Sequence, residues 1–267
     1  MAAAALCLLM TSCKKNKDDA PAAPTVVKQW TVPLSAKNEV PAPAGRNETG
    51  TALLQLLSDN TFTYTVTVNG LAAGDALTNA HIHTGDVINS GPVILGFNPT
   101  FSGNTASGTV TGLRTSFIDS LKNDAVDLYV NAHSTQAPAG IVRGQLNKTI
   151  ELAMDVVMTG NNEVPAVATT ASGLAMLRLT SDKKLYAKVT VTGLEAGDTW
   201  TAAHIHKAAA GANSGVFIGF YSSAAEFGTT KIIPVDDAMF ASLKTDAMYV
   251  NAHSTNHASG TIRGQIR

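Results

Sequence analysis

The chain has 267 residues, enough for one large domain or two of ordinary size, and its 45% hydrophobic content supplies a sizeable core. Charged residues make up only 15% and the net charge is −1, so no basic field exists to hold nucleic acid and no acidic run to draw a cationic partner. Both cysteines, Cys7 and Cys13, fall near the N-terminus, which leaves the rest of the chain without a disulfide or a thiolate metal site.

The chain opens with "MAAAALCLLMTSCKKNKDD". The apolar run Ala2–Met10 is too short to span a bilayer and fits the apolar region of a secretory signal. Small residues before Cys13, with lysines directly after it, resemble a bacterial lipoprotein signal. That resemblance implies cleavage before a lipidated Cys13 and an anchor in the cell envelope, as an outer-membrane lipoprotein facing the periplasm or the outside. Residues 14–27 are expected to form a flexible, partly polyproline spacer.

The rest of the chain says nearly everything twice. "NEVPA" occurs at Asn38–Ala42 and Asn162–Ala166, and "GTALLQL" (Gly50–Leu56) matches "GLAMLRL" (Gly173–Leu179). "VTVNGLAAGD" (Val66–Asp75) matches "VTVTGLEAGD" (Val189–Asp198), and "AHIH" stands at Ala80–His83 and Ala203–His206. A repeat this long denotes tandem globular domains, expected at 28–148 and 149–267, with almost no linker between them. Each copy reads as β. In "TFTYTVTV", Phe62, Tyr64, Val66 and Val68 share one face and the threonines the other. Leu185, Ala187, Val189 and Val191 repeat that apolar face, and such alternation predicts antiparallel strands with one wet side. The expected fold is therefore all-β: two tandem antiparallel Greek-key sandwich or barrel domains. One short helix is expected in each, near "SFIDSLKND" and "DDAMFASLKTD", the second capped by Asp236 or Asp237.

Strand parity groups the polar residues. His81 and His83 point the same way, and in "LYVNAH" the residues Tyr129, Asn131 and His133 lie opposite the aliphatic set. The second copy supplies His204, His206, Tyr249, Asn251 and His253, so among the seven histidines His257 alone falls outside the pattern. Two imidazoles from a His-x-His strand and a third of matching parity could hold copper or zinc. The alternative is that they hydrogen-bond strand ends and the arginine loop. Arg143 and Arg263, in "VRGQ" and "IRGQ", are read as clamps on loop carbonyls or a carboxylate, with Glu39 and Glu163 as the acids in reach. An anion-binding role for these arginines stays open beside that reading.

These motifs, in the order "HIH … YVNAHS … G … RGQ", resemble the chordin-domain (CHRD) family over two copies from residue 30 to the end. The resemblance implies an extracellular or cell-surface β domain and no established catalytic activity. A looser similarity to the Cu/Zn superoxide dismutase family lies in the His-x-His strand and the later histidine before a Gly-rich loop and arginine. It implies a Greek-key barrel and a mononuclear metal site. That family's bridging histidine and zinc-binding aspartate have no counterpart between Gly85 and Asp127, and its disulfide is missing. No Gly-x-Ser-x-Gly, phosphate loop or Cys-x-x-Cys occurs. Two function classes follow: a non-catalytic surface module binding an extracellular protein or a glycan, or a copper or zinc protein with three histidines per repeat, redox activity included. Glycan binding would use Tyr129 and Tyr249 as exposed platforms.

Overall fold

The computed structural model describes residues 22–267. The signal-peptide and Cys13 expectations, and most of the 14–27 spacer, lie outside the described residues. The first repeat forms β1 (Val26–Ser35), β2 (Thr49–Leu57), β3 (Phe62–Asn69), β4 (Leu77–Thr84), β5 (Val93–Gly96), β6 (Thr105–Val110), α1 (Thr115–Lys122), β7 (Leu128–Ser134) and β8 (Val142–Gln145). The second forms β9 (Ile150–Thr159), β10 (Ser172–Thr180), β11 (Lys184–Thr192), β12 (Trp200–His206), β13 (Val216–Tyr221), β14 (Lys231–Pro234), α2 (Asp237–Thr245), β15 (Tyr249–Ser254) and β16 (Ile262–Gln265). The strands run in the orders β5-β4-β7-β8-β1-β2-β3-β6 and β13-β12-β15-β16-β9-β10-β11-β14.

Each eight-stranded sheet is two four-stranded leaves joined by one narrow contact. β1 meets β8 only at Ser35–Arg143, and β9 meets β16 only at Thr159–Arg263. The leaves close over each other because each has an apolar face with nothing else to cover it. Leu54, Phe62 and Val66 from one leaf meet Ile82, Val130 and Val142 from the other, all fully buried. Each such side chain contributes on the order of 1.5–3 kcal/mol of burial. The two helices stand where the pattern placed them. Asp236 caps α2 by accepting the Met239 N–H at 2.8 Å, whereas Arg114, at the N-cap of α1, makes no side-chain capping bond.

Two departures from simple alternation matter for the site. The first is β7, buried on both faces instead of one. Leu128, Val130 and Ala132 belong to the core, while Tyr129 and Asn131 are buried on the far side. The second is the outer face of β10 and β11, expected to be wet. There Met176 and Tyr186 form a small apolar cluster with Val87 and Ile88 of the first repeat. Arg178, fully buried, bridges the same junction: it pairs with Asp155 at 2.7 Å and donates to the Glu39 carbonyl at 2.8 Å. Asp155 in turn accepts the Ala42 N–H at 2.8 Å. The two repeats therefore dock through side chains of the second and two loops of the first, one carrying Glu39 and Ala42 and the other Val87 and Ile88.

Candidate metal centre

The β4–β7 register sets His81 opposite Asn131 and His83 opposite Tyr129. The β12–β15 register does the same for His204 with Asn251 and His206 with Tyr249. All the imidazoles thus face away from the aliphatic core, on the side that the β4–β5 and β12–β13 loops fold over. The structure gathers His81, His83 and His133 in one group and His204, His206 and His253 in another, their ligand atoms within 4.8 Å of one another. His257 belongs to neither group.

Backbone carbonyls decide which nitrogens carry protons. His83 Nδ1 lies 3.0 Å from the Gly91 carbonyl and His133 Nδ1 lies 3.0 Å from that of Pro138. The second copy repeats this with Ser214 and Ala258, each at 3.0 Å. A carbonyl can only accept, so each Nδ1 donates and the Nε2 of the neutral ring is left as a lone pair. His81 Nδ1 sits 3.0 Å from His133 Nε2, and His204 Nδ1 sits 3.1 Å from His253 Nε2. At the middle of the first cluster His83 Nε2 and Asn131 Oδ1 are buried with no hydrogen-bond partner. In the second, Asn251 Oδ1 lies 3.0 Å from both His206 Nε2 and His253 Nε2. His81 Nδ1–H and His204 Nδ1–H can donate to those lone pairs, but Asn131 Oδ1 and Asn251 Oδ1 face imidazole acceptors at the centre of each cluster.

The surroundings favour the neutral form of five of these rings. Burial, with the neighbouring imidazoles His133 and His83, pushes His81 down to about 4. Burial with His253 and His206 takes His204 down to about 4 as well. Burial also lowers His83, His133 and His253 below the ordinary histidine range. Neutral imidazoles with inward lone pairs are the state that binds a metal cation. Tetrahedral zinc with nitrogen at ~2.0–2.1 Å needs ligands about 3.3 Å apart, so only the wider-spaced ligand atoms would have to draw in, by up to roughly 1.5 Å.

Behind each cluster stands a column of flat groups. The Arg143 guanidinium carbon lies 3.4 Å from the Tyr129 ring centre, and that ring stacks on His83 at 4.7 Å with planes 6° apart. Arg263, Tyr249 and His206 repeat the column at 3.3 Å and 4.6 Å. Arg143 donates to the carbonyls of Asp86 and Asn89 and to Ser90 Oγ, fixing the loop whose Gly91 carbonyl orients His83. Arg263 holds the Ala209 and Ala212 carbonyls and the Asn213 side chain. Gln145 and Gln265 add bonds to the Gly85 and Ala208 carbonyls.

Two expectations need correction here. Tyr129 and Tyr249 are 2% and 3% exposed, because arginine covers one face and histidine the other, so they offer no platform to a sugar. Glu39 and Glu163 do not pair directly with the arginines, whose terminal N–H groups are directed to the carbonyls and side chains of the covering loops. Each glutamate is buried with Oε1 unpartnered, its carboxylate lying where a side chain at Gly140 or Gly260 would stand. Burial pushes Glu39 up to about 7 against the opposing charge of Arg143 and a hydrogen bond from Asn131. Burial raises Glu163 to about 7 against Arg263 and Asn251. Sequence reasoning missed the carbonyls of Gly91, Pro138, Ser214 and Ala258, since a backbone acceptor leaves no mark on residue type.

The family model described as "CHRD domain" matches residues 30–146 and 154–266. Comparisons with curated proteins and with solved structures returned no match.

Proposed function

The chain belongs to the CHRD domain family, and on that premise we propose that it is a non-catalytic, envelope-tethered module whose two histidine clusters each hold one copper or zinc ion. The observation that carries this reading is the convergence of imidazole lone pairs on a buried carboxamide oxygen, with the Nδ1–H of His83, His133, His206 and His253 already given to carbonyls. A purely hydrogen-bonded scaffold would place donors against those acceptors, since an unpaired buried polar group costs about 1–3 kcal/mol. A cation satisfies them all at once. His83 and His133 would ligate through Nε2 and His81 through Nδ1, the metal taking the place of the proton they share. His206, His253 and His204 would do the same in the second repeat. The Nδ1-to-carbonyl bonds are the kind of outer support that metal-ligating histidines use to fix ring orientation.

Three neutral nitrogens with, among the described residues, no carboxylate or thiolate beside them suit zinc(II) or copper, and the remaining coordination position would fall to water or to a donor from a partner. The tether rests on the sequence around Cys13 and places the sites in the cell envelope, where an extracellular protein or glycan would be met. The test is elemental analysis of protein purified without a histidine tag. Two equivalents of metal per chain are expected, one for His83→Ala or His206→Ala, and none for the double variant. Substoichiometric metal in the wild type after loading would overturn the reading. Radiolabelled palmitate should be incorporated by the wild type and not by Cys13→Ala; equal labelling would refute the anchor.

A further inference from the structure

The two clusters are near copies, yet their surroundings are not. The loop over the first cluster, residues 85–92, is caught between the repeats: Val87 and Ile88 are 0% exposed, packed with Met176 and Tyr186. Its Asn89 carboxamide also reaches Thr230 Oγ1 at 3.1 Å in the second repeat. The matching loop over the second cluster is solvent-facing, with every residue from Ala209 to Val216 exposed. Both loops perform the same task, since the carbonyls of Gly91 and Ser214 hold the Nδ1 of His83 and His206 at 3.0 Å. Both are gripped from beneath by an arginine, Arg143 or Arg263. The inter-repeat contact is therefore what distinguishes them.

We propose that docking of the repeats makes the two metal sites kinetically unequal: the first holds its ion and releases it slowly, while the second exchanges it quickly with the surroundings. This rests on the metal-binding reading above. For an ion to leave, the His83 or His206 ring must swing away, and the loop that orients it must yield. Opening the first loop withdraws two fully buried aliphatic side chains from the junction, which together slow the step by roughly tenfold or more. Opening the second loop breaks the matching arginine bonds but withdraws no buried aliphatic side chain, since its residues 209–216 are already exposed. A tandem repeat so arranged pairs a retained structural ion with an exchangeable one, and the second site is the one fitted to pass metal to, or sense it from, the envelope.

The experiment uses the full chain loaded with two equivalents of Zn2+ and mixed with excess 4-(2-pyridylazo)resorcinol, which reports released zinc by absorbance. Two phases of equal amplitude are expected, separated by at least roughly tenfold in rate. His206→Ala should keep only the slow phase and His83→Ala only the fast one. Ile88→Ala should accelerate the slow phase several-fold and leave the fast phase unchanged. Thr230→Val, which removes only the Asn89–Thr230 contact across the repeats, should do so to a smaller degree, and it covers the case in which Ile88→Ala fails to fold. Two equivalents released in a single phase, or a slow phase indifferent to both junction variants, would overturn the kinetic inference while leaving metal binding intact. No zinc on the wild-type chain at the outset would overturn both.

Discussion

Arg178→Ala is the sharpest perturbation of the junction between the repeats. The guanidinium is fully buried and donates to the carbonyls of Met154 and Leu177 at 3.1 Å, to Asp155 at 2.7 Å, and to the Glu39 carbonyl at 2.8 Å. Truncation leaves the mostly buried Asp155 carboxylate without its counter-charge and strands several carbonyls. Breaking a buried pair by deleting one partner costs about 3–5 kcal/mol. Asp155→Ala should cost a similar amount, since it leaves Arg178 uncompensated and takes away the acceptor of the Ala42 N–H. The double variant should cost well under the sum, by about 2 kcal/mol or more of coupling, because no lone buried charge remains. Urea denaturation followed by far-UV circular dichroism measures each corner of the cycle. Because Arg178 also ties the repeats together, its loss should split one transition into two. A single-variant cost below about 1 kcal/mol, or strict additivity in the double, would refute the claim that this pair anchors the junction.

Other outcomes follow from the same coordinates. Gly140→Ala and Gly260→Ala would drive a methyl group into the carboxylates of Glu39 and Glu163 at φ values of +145° and +139°. Each should lower stability by about 2–3 kcal/mol or more, read by thermal melting, whereas Gly103→Ala, with open space around it, should cost less. Glu39 and Glu163, raised to about 7 in the fold, keep protons there that the unfolded chain releases near 4.5. Their contribution is therefore fully present below about pH 4.5 and lost as pH rises toward 7, by up to about 3 kcal/mol for Glu39 and less for Glu163. The charged groups facing Glu39 are Arg143 and Arg178, and Arg263 faces Glu163. Urea melts at pH 4.5 and 7.5 on wild type and Glu39→Gln/Glu163→Gln should differ in slope by that amount, and identical pH profiles would count against it. Arg143→Lys keeps the charge but loses the planar stack on Tyr129 and the fork that holds three loop groups. It should weaken zinc affinity at the first site by roughly tenfold or more in competition with a chelator and leave the second site unchanged.

Strand positions, apolar faces and both helices were legible in the chain because period-two alternation directly records which side of a strand is buried. The same parity placed His81, His83 and His133 on a common face, since residues two apart on a strand cannot do otherwise. Tyr129 was misread as exposed for a reason that alternation cannot encode. The side opposite the core is covered by a loop, and a loop leaves no periodic signature. The junction did leave a trace in the differences between copies. Leu53, Gln55 and Thr63 in the first repeat become Met176, Arg178 and Tyr186 in the second, and the last two changes put larger side chains on a face expected to be wet.

By itself, the sequence determined two all-β repeats, their strand faces, and which polar residues share a side, because each of these is a local consequence of backbone geometry. Tertiary structure decided the rest: which carbonyl fixes each imidazole tautomer, that arginine, tyrosine and histidine stack, and that only one of two equal loops is locked. Those facts depend on residues far apart in the chain, and on backbone atoms common to every residue, so no pattern of side chains along the chain could carry them.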